Sequence, residues 1–312
     1  MPDVFVQSAH VVTAGFSRHE KWLVETDRGR LLVKVWSPDA APAKHVHAAL
    51  VQVIVSGRGL QVPAVRVVDE RAAEVDGRGV TILDYLPGQD GTDAVPALSP
   101  TDASRFFQAW GAFVGRMHAI EVPCFADRLT GDGAATYGSW DAAVRANLER
   151  LRSLNALHGT LPASDLDAAT SWALEAAAHV SRDVRPAIAH RDLYLANTLV
   201  HDDAFQGVID FELAKLWDPV YDFVKLAAWV FTDLPDGWPP FRDGYLQHGP
   251  SLPAFTTRLA LATVIEVLSG LPAWRQQANT DFERTYRAMI DQSIQRPPGA
   301  VTDVLDATTA LA

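Results

Sequence analysis

Two short stretches hold the residues best suited to chemistry. The first runs Ile188-Ala189-His190-Arg191-Asp192-Leu193-Tyr194-Leu195-Ala196-Asn197, and the second Gly207-Val208-Ile209-Asp210-Phe211-Glu212. Asp192, Asn197 and Asp210 stand at the ends of three strand-like runs: Ala187 to His190, Asn197 to His201 and Gln206 to Asp210. The turn Asp202-Asp203-Ala204-Phe205 joins the last two and folds Asp210 back toward Asn197. Three oxygen-bearing side chains then converge, a set that suits a hard cation such as Mg2+, with water and phosphate completing its shell. Charge suggests a division of labour. Asn197 and Asp210 can hold metal, while Asp192 can accept a hydroxyl proton or orient that hydroxyl for in-line attack on a γ-phosphate. The competing reading makes Asp192 and Asn197 turn residues and Asp210 a helix cap. An Asp placed 18 residues after Asp192 and closing an apolar strand makes that coincidence rare.

These residues need elements to carry them. Val4 to Val12 is apolar and β-branched. Lys21 to Thr26 and Leu31 to Trp36 read as a hairpin around Asp27-Arg28-Gly29-Arg30. Ala41 to Val55 has a helical pattern with Pro42 near its start. Pro63 to Val68 and Gly79 to Asp84 are further strands, and Tyr85-Leu86-Pro87-Gly88 breaks the pattern. From Pro100 the chain turns helical, with a core stripe of Phe106, Trp110, Phe113 and Met117. Further helices are expected at Ser139 to Leu154, Ser164 to Arg182, Pro219 to Phe231, Pro253 to Leu268 and Thr280 to Ile294. The expected plan is an α+β chain. A β-rich lobe at 1–86 and a hinge at 84–88 precede a helical lobe at 89–296 that carries the catalytic ribbon, and 297–312 forms a loose tail.

Composition narrows the function. With 48% apolar and 21% charged residues, the 312-residue chain can bury a large core and is not globally disordered. A net charge of −11 argues against a nucleic-acid partner, which needs a cationic face. A single cysteine, Cys124, excludes an internal disulfide framework, so the expectation is a cytoplasmic protein. No uninterrupted apolar run approaches the roughly 18–20 residues of a membrane span, and no membrane partner is expected. Charge is uneven: the first 80 residues carry 10 basic and 9 acidic side chains, and the remainder 17 and 29.

His190-Arg191-Asp192 through Asn197, followed by Ile209-Asp210-Phe211-Glu212, resembles the aminoglycoside phosphotransferase and choline kinase branch of the protein-kinase-like fold. The likeness covers about residues 10 to 270, with its sharp motifs at 188–222. It implies a two-lobed fold with a small antiparallel β lobe and a larger, mostly helical one. It also implies Asp192 as the catalytic residue and Asn197 and Asp210 as Mg2+ ligands. By the same resemblance, Gly15 and Ser17 in Ala14-Gly15-Phe16-Ser17-Arg18 belong to a phosphate-covering loop, and Lys34 contacts the α- and β-phosphates. Backbone groups of Asp84 and Leu86 would hold the base of ATP or GTP. The sequence departs from the family's pattern between Asp39 and Asp69, where no acidic residue stands to pair with Lys34; His47 and Gln52 are the polar substitutes available. Asp218-Pro219-Val220-Tyr221-Asp222 looks like the family's helix start, with structural roles favoured for both carboxylates.

A protein kinase would need Asp-Phe-Gly and a later Ala-Pro-Glu. Here the motif is Asp-Phe-Glu, and the chain passes directly to Asp218-Pro219. A small-molecule kinase is therefore expected. The acidic surplus suggests a cationic acceptor, with Asp218, Asp222, Glu266 and Glu283 as candidate acceptor-binding residues. An antibiotic kinase ranks first, with an aminoglycoside or tuberactinomycin-type peptide as acceptor. A metabolite kinase of choline-, methylthioribose- or homoserine-kinase type ranks second, for which Trp229, Trp238, Phe241 and Trp274 could form an aromatic cage. A nucleotide-binding pseudokinase ranks third.

Overall fold

The structure, a computed structural model, describes residues 4–13, 19–129 and 134–295. The phosphate-loop candidates Gly15 and Ser17 lie outside the described residues. The chain divides into two units, one of residues 1–106, 128–135 and 195–214, the other of residues 107–127, 136–194 and 215–312.

The first unit is built on an antiparallel sheet. Its strands are β1 (Val6–Val11), β2 (Glu20–Thr26), β3 (Gly29–Val35), β4 (Val65–Ala72) and β5 (Arg78–Asp84), ordered β1-β2-β3-β5-β4. The β2–β3 register pairs Lys21 with Lys34, and β3–β5 pairs Lys34 with Thr81. Lys34 thus sits on a central strand with its backbone fixed from both sides. Helix α1 (Pro42–Gly57) starts at Pro42, whose missing N–H is one the first turn would leave unpaired. Its buried residues are His45, His47, Ala48, Ala49, Val51, Gln52 and Val55, and His45, Ala48, Ala49, Gln52 and Val55 among them share one face. Trp36 lies flat over Gly79, where an added Cβ would come within 1.8 Å of the ring. Its indole N–H donates to Thr81 Oγ1 at 2.9 Å.

The hairpin Thr198–His201/Ala204–Val208 also belongs to the first unit, pairing onward to Gln89–Asp90. The expected division gave the hairpin to the helical lobe and ended the β lobe at residue 86, whereas by its contacts the hairpin falls in the first unit. The reason lies at Gly207, whose backbone packs so closely on Gln61 that a Cβ would meet Gln61 O at 2.3 Å. Val208 N–H donates to the same carbonyl at 3.2 Å. Asp202 and Asp203 both take left-handed backbone, φ 49° and 57°, as a tight hairpin turn whose twist matches its strands requires.

The second unit joins a four-stranded sheet to helices. Ala187–Ala189 pairs with Lys215–Trp217, which pairs with Phe125–Arg128, and Ala135–Tyr137 completes the order. Helices span Trp140–His158, Ala163–Val180, Trp238–Leu246, Phe255–Gln276 and Thr280–Gln295. The expected helix from Pro219 to Phe231 is broken into a 3-10 turn (Pro219–Asp222), an α turn (Phe223–Lys225), a π turn (Leu226–Val230) and a last α turn (Phe231–Asp233). Phe223, Phe231, Trp238, Phe241 and Tyr245 make the aromatic core, with most ring pairs edge to face. Helix Phe255–Gln276 is long and apolar enough to cross a membrane by length and composition alone, but it is mostly buried in this core and carries Arg258 and Glu266 inward.

Candidate active site

The hairpin register sets the first half of the site. Thr198 pairs with Val208, and Ile209 N–H donates to Asn197 O at 3.0 Å. Asn197 and Asp210 therefore lie at the same end of the ribbon. Asp210 itself adopts left-handed backbone, φ 67°, an unusual state for a non-glycine residue and one found at functional sites. Its Oδ1 is buried and accepts no hydrogen bond among the described residues. Lys34 Nζ approaches that oxygen at 3.6 Å. A buried carboxylate oxygen without a donor, beside an amide side chain on the same ribbon end, fits a hard divalent cation.

Lys34 has a second partner that the sequence motif contained without a role. Its Nζ donates to Glu212 Oε1 at 3.3 Å. The glutamate of Asp-Phe-Glu thus takes the place of the helix carboxylate missing from α1. His19 closes the network, its Nε2 3.5 Å from Glu212 Oε2 and its Nδ1 accepting from Ser37 N–H at 3.0 Å. Because Nδ1 accepts, the neutral ring carries its proton on Nε2, facing the carboxylate. Burial alone would raise the Glu212 carboxyl, but the His19 hydrogen bond and the Lys34 ammonium outweigh it and hold the group well below the usual carboxylate range. Burial likewise opposes the Lys34 charge, and Asp210 and Glu212 reverse it, raising the ammonium above its ordinary value.

His45 stacks on Trp36 at 4.5 Å, and burial pushes its imidazole down to about 4, so it is neutral at pH 7. His19, His45 and Glu212 have ligand-like spacing, but the His19 proton points at Glu212, and the group reads as a hydrogen-bond network. The two expected substitutes for the helix carboxylate are engaged elsewhere. His47 accepts from Leu129 N–H and bonds Ala214 O, and Gln52 donates to Pro63 O. A cavity beside this cluster is lined by Lys34, Trp36, Ala48, Thr81, Leu83 and Phe211. At the end of β5, Asp84 donates its N–H to Ala64 O and pairs its carboxylate with Arg66. Leu86 side-chain Cδ2 packs near Gly207.

Asp192 belongs to the second unit. Its backbone N–H donates to His190 Nδ1 at 3.3 Å. The preceding residue, Arg191, is left-handed at φ 67°, and its guanidinium lies over the Tyr221 ring at 4.1 Å. Asp222 imposes this shape: its carboxylate accepts from the backbone N–H groups of His190 at 2.9 Å and Arg191 at 2.6 Å. His118 Nε2 donates to the same carboxylate at 2.9 Å.

The four acidic residues named as acceptor candidates all have partners inside the unit, and Asp218 and Asp222 take the structural roles favoured for them. Asp222 is buried beneath the His190–Arg191 backbone. Asp218 is equally buried, caps Val220 N–H and takes a two-pronged bond from Arg258 at 2.6 and 3.0 Å. Glu266 accepts from Tyr221 and Tyr286 hydroxyls at 2.6 and 2.9 Å. Glu283 is paired with Arg275 and Arg287. The aromatic cage is likewise absent among the described residues: Trp238 and Phe241 are core, Trp229 faces Tyr286, and Trp274 stacks on Phe282 at 4.5 Å.

Two lysines escaped the sequence reading. Lys225 Nζ donates to Asp192 Oδ1 and lies 3.6 Å from Glu266 Oε1. Lys215 is buried against Asp127, but burial and the Arg191 guanidinium outweigh that partner and push its ammonium down to about 7. The available signal was scarcity: the chain has five lysines, and Lys225 interrupts the apolar run Phe223 to Val230.

The model of the phosphotransferase enzyme family matches residues 8–261, and the chain belongs to that family. It is therefore a phosphotransferase of small-molecule kinase type. Among solved structures, a thermostable mutant of aminoglycoside phosphotransferase APH(4)-Ia in complex with AMP-PNP and hygromycin B is similar at a TM-score of 0.68 and 15% identity, over 95% of both chains. APH(2")-IIa in complex with gentamicin is similar at 0.66 and 17%, over 92% of both. A protein assigned as a fructosamine-3-kinase from Haemophilus somnus 129PT is similar at 0.66 and 13%, over 93% of this chain and 92% of that one. These likenesses show the protein-kinase-like α+β fold. No curated protein matches the chain in sequence.

Proposed function

We propose that the protein transfers the γ-phosphoryl group of ATP or GTP to a hydroxyl of a small molecule. The observation that carries this reading is the Lys34–Asp210–Glu212 cluster beside the Asn197 end of the hairpin. A lysine on a central strand, a carboxylate with an undonated oxygen and an amide on one ribbon end form the charge pattern a metal-bound triphosphate needs. Asn197 and Asp210 would hold Mg2+, which when bound neutralises phosphate charge. Lys34 binds the α- and β-phosphates, and backbone groups of Asp84 and Leu86 bind the base. The family resemblance gives Gly15 and Ser17, outside the described residues, the role of a phosphate-covering loop. Asp192 accepts the acceptor's hydroxyl proton as the acceptor oxygen bonds to Pγ. The Pγ–O bond to the leaving nucleoside diphosphate breaks in the same event.

For the acceptor, the first reading is a cationic antibiotic, an aminoglycoside or tuberactinomycin-type peptide, whose phosphorylation confers resistance in the cytoplasm. It draws support from the acidic surplus after residue 80 and from relatives of similar fold crystallised with hygromycin B and gentamicin. The second reading, a metabolite kinase, is favoured by the internal neutralisation of Asp218, Asp222, Glu266 and Glu283. The test is a panel of cationic antibiotics, sugars and amino alcohols with Mg2+ and ATP or GTP, read by mass spectrometry for the gain of one phosphoryl group. A cationic acceptor predicts a KM that rises steeply with salt, and a flat response argues for a neutral acceptor such as a sugar. No phosphorylated product from any hydroxyl compound overturns both.

A further inference from the structure

Lys225 is built into the second unit in a way its stability does not require. It stands in an apolar run, Phe223-Val224-Lys225-Leu226-Ala227-Ala228-Trp229-Val230, where a leucine or methionine would pack without a desolvation penalty. For an ion pair this buried, the cost of desolvating both charges offsets much of the Coulombic gain, so its presence is weak evidence for a stabilising role. The helix nevertheless changes to a π turn at Leu226–Val230, immediately after Lys225. Such turns are rare and gather at functional sites, because widening the helix re-aims a side chain at some cost to packing.

The ammonium is fixed from behind. Glu266 is buried, and its two carboxylate oxygens are taken up by Tyr221 Oη at 2.6 Å and Tyr286 Oη at 2.9 Å. Lys225 Nζ lies 3.6 Å from Glu266 Oε1 and donates to Asp192 Oδ1. It also lies 5.9 Å from the Tyr194 ring centre. Two tyrosines hold a carboxylate, the carboxylate holds an ammonium, and the ammonium holds Asp192. Both Lys225 and Asp192 keep a fraction of their side chains exposed, 17% and 20%, so the chain of contacts ends at an accessible carboxylate.

We propose that Lys225, braced by Glu266, is a positioning residue that holds the Asp192 carboxylate in the orientation in which it receives the acceptor's hydroxyl proton. This rests on the reading of Asp192 given above. An unbraced carboxylate rotates about its last bond, and loss of alignment at a reacting group costs on the order of 10²-fold in rate. The effect belongs to the transfer step, so nucleotide binding does not share it.

The experiment compares the full chain with Lys225→Met, Lys225→Arg, Asp192→Asn and the double variant Lys225→Met/Asp192→Asn. The probe is Mg-ATP with the panel compound that wild type phosphorylates best, or with water as acceptor. Kinetics are read beside melting temperature. The expected result for Lys225→Met is a kcat lower by roughly 10–100-fold, with the KM for ATP within about twofold, measured at a temperature where the variant is fully folded. Lys225→Arg recovers much of the rate, and adding Lys225→Met to Asp192→Asn costs nothing further, as coupled sites require. Full-strength Lys225→Met activity, a KM for ATP that rises as much as kcat falls, or a double variant in which the two losses multiply overturns the proposal. Should the methionine variant melt early, Lys225→Gln carries the same comparison. A wild type that transfers phosphate to neither compound nor water overturns the reading of function and the proposal with it. An active wild type with an indifferent Lys225 overturns the proposal alone.

Discussion

The two units each hold a lysine between two carboxylates, and the pair differ instructively. In the first, Lys34 stands between Asp210 at 3.6 Å and Glu212 at 3.3 Å. In the second, Lys225 stands between Asp192 and Glu266. Lys34 is carried by a regular strand, and both of its acids come from one three-residue motif. Lys225 is carried by a broken helix, and its acids come from a loop and a helix 74 residues apart in sequence. The first cluster has an undonated carboxylate oxygen, as a metal ligand should. In the second, Glu266 is saturated by hydroxyls, as a brace should be. On the proposed reading the same charge pattern would serve binding in one place and alignment in the other, and what surrounds the lysine decides which.

The sharpest way to break this contrast is Asp192→Asn. It should lower kcat by roughly 10²–10⁴, the range for loss of a general base, and leave nucleotide affinity intact. Steady-state kinetics beside calorimetric binding check both halves. Next in size is Arg258→Met, which leaves the buried Asp218 carboxylate without its guanidinium. The expected loss is about 3–5 kcal/mol of stability, read by denaturant unfolding. If Asp218 instead served a dissolved acceptor, the acceptor KM would move and stability would not. Glu212→Gln is smaller. Removing one charged hydrogen bond from Lys34 should raise the KM for nucleotide by roughly tenfold or more, with kcat at saturation nearly retained.

A further effect concerns pH. Lys215 gives up its proton near pH 7 in the folded chain, because burial and Arg191 disfavour its charge, whereas the unfolded chain keeps that proton to about 10.5. Between those values the unfolded state binds more protons, so this residue makes stability rise with pH. Below pH 7 both states are protonated and the contribution is flat. Lys215→Met should remove that rise, as urea unfolding at pH 6, 7.5 and 9 would register.

How much of this the sequence displayed follows from locality. The hairpin, its turn and the Asn197–Asp210 alignment were legible, because strand runs and a turn fix register over a dozen residues. The five-stranded sheet and α1 were legible for the same reason, since their hydrophobic periods are intact. The pairing of Lys34 with Glu212 was not, although both residues stood in quoted motifs, because it spans 178 positions. Asp218 and Asp222 were legible as structural from their place at a helix start, but their partners were not: charge counted along a chain does not reveal Arg258 40 positions away or backbone N–H groups 31 and 32 positions away. The segment after Pro219 reads as one helix because its residues are apolar throughout; the π turn leaves that composition unchanged. Helix Trp238–Leu246 went unread because two prolines, Pro239 and Pro240, open it and look like a break.

The division of labour between the clusters is tested most directly by calorimetric titration of Mg-ATP into the Asp210→Asn and Asp192→Asn variants. The expected result is binding lost or greatly weakened in Asp210→Asn and retained at wild-type strength in Asp192→Asn. Equal affinity in the two variants, whether both bind or both fail, would contradict the account.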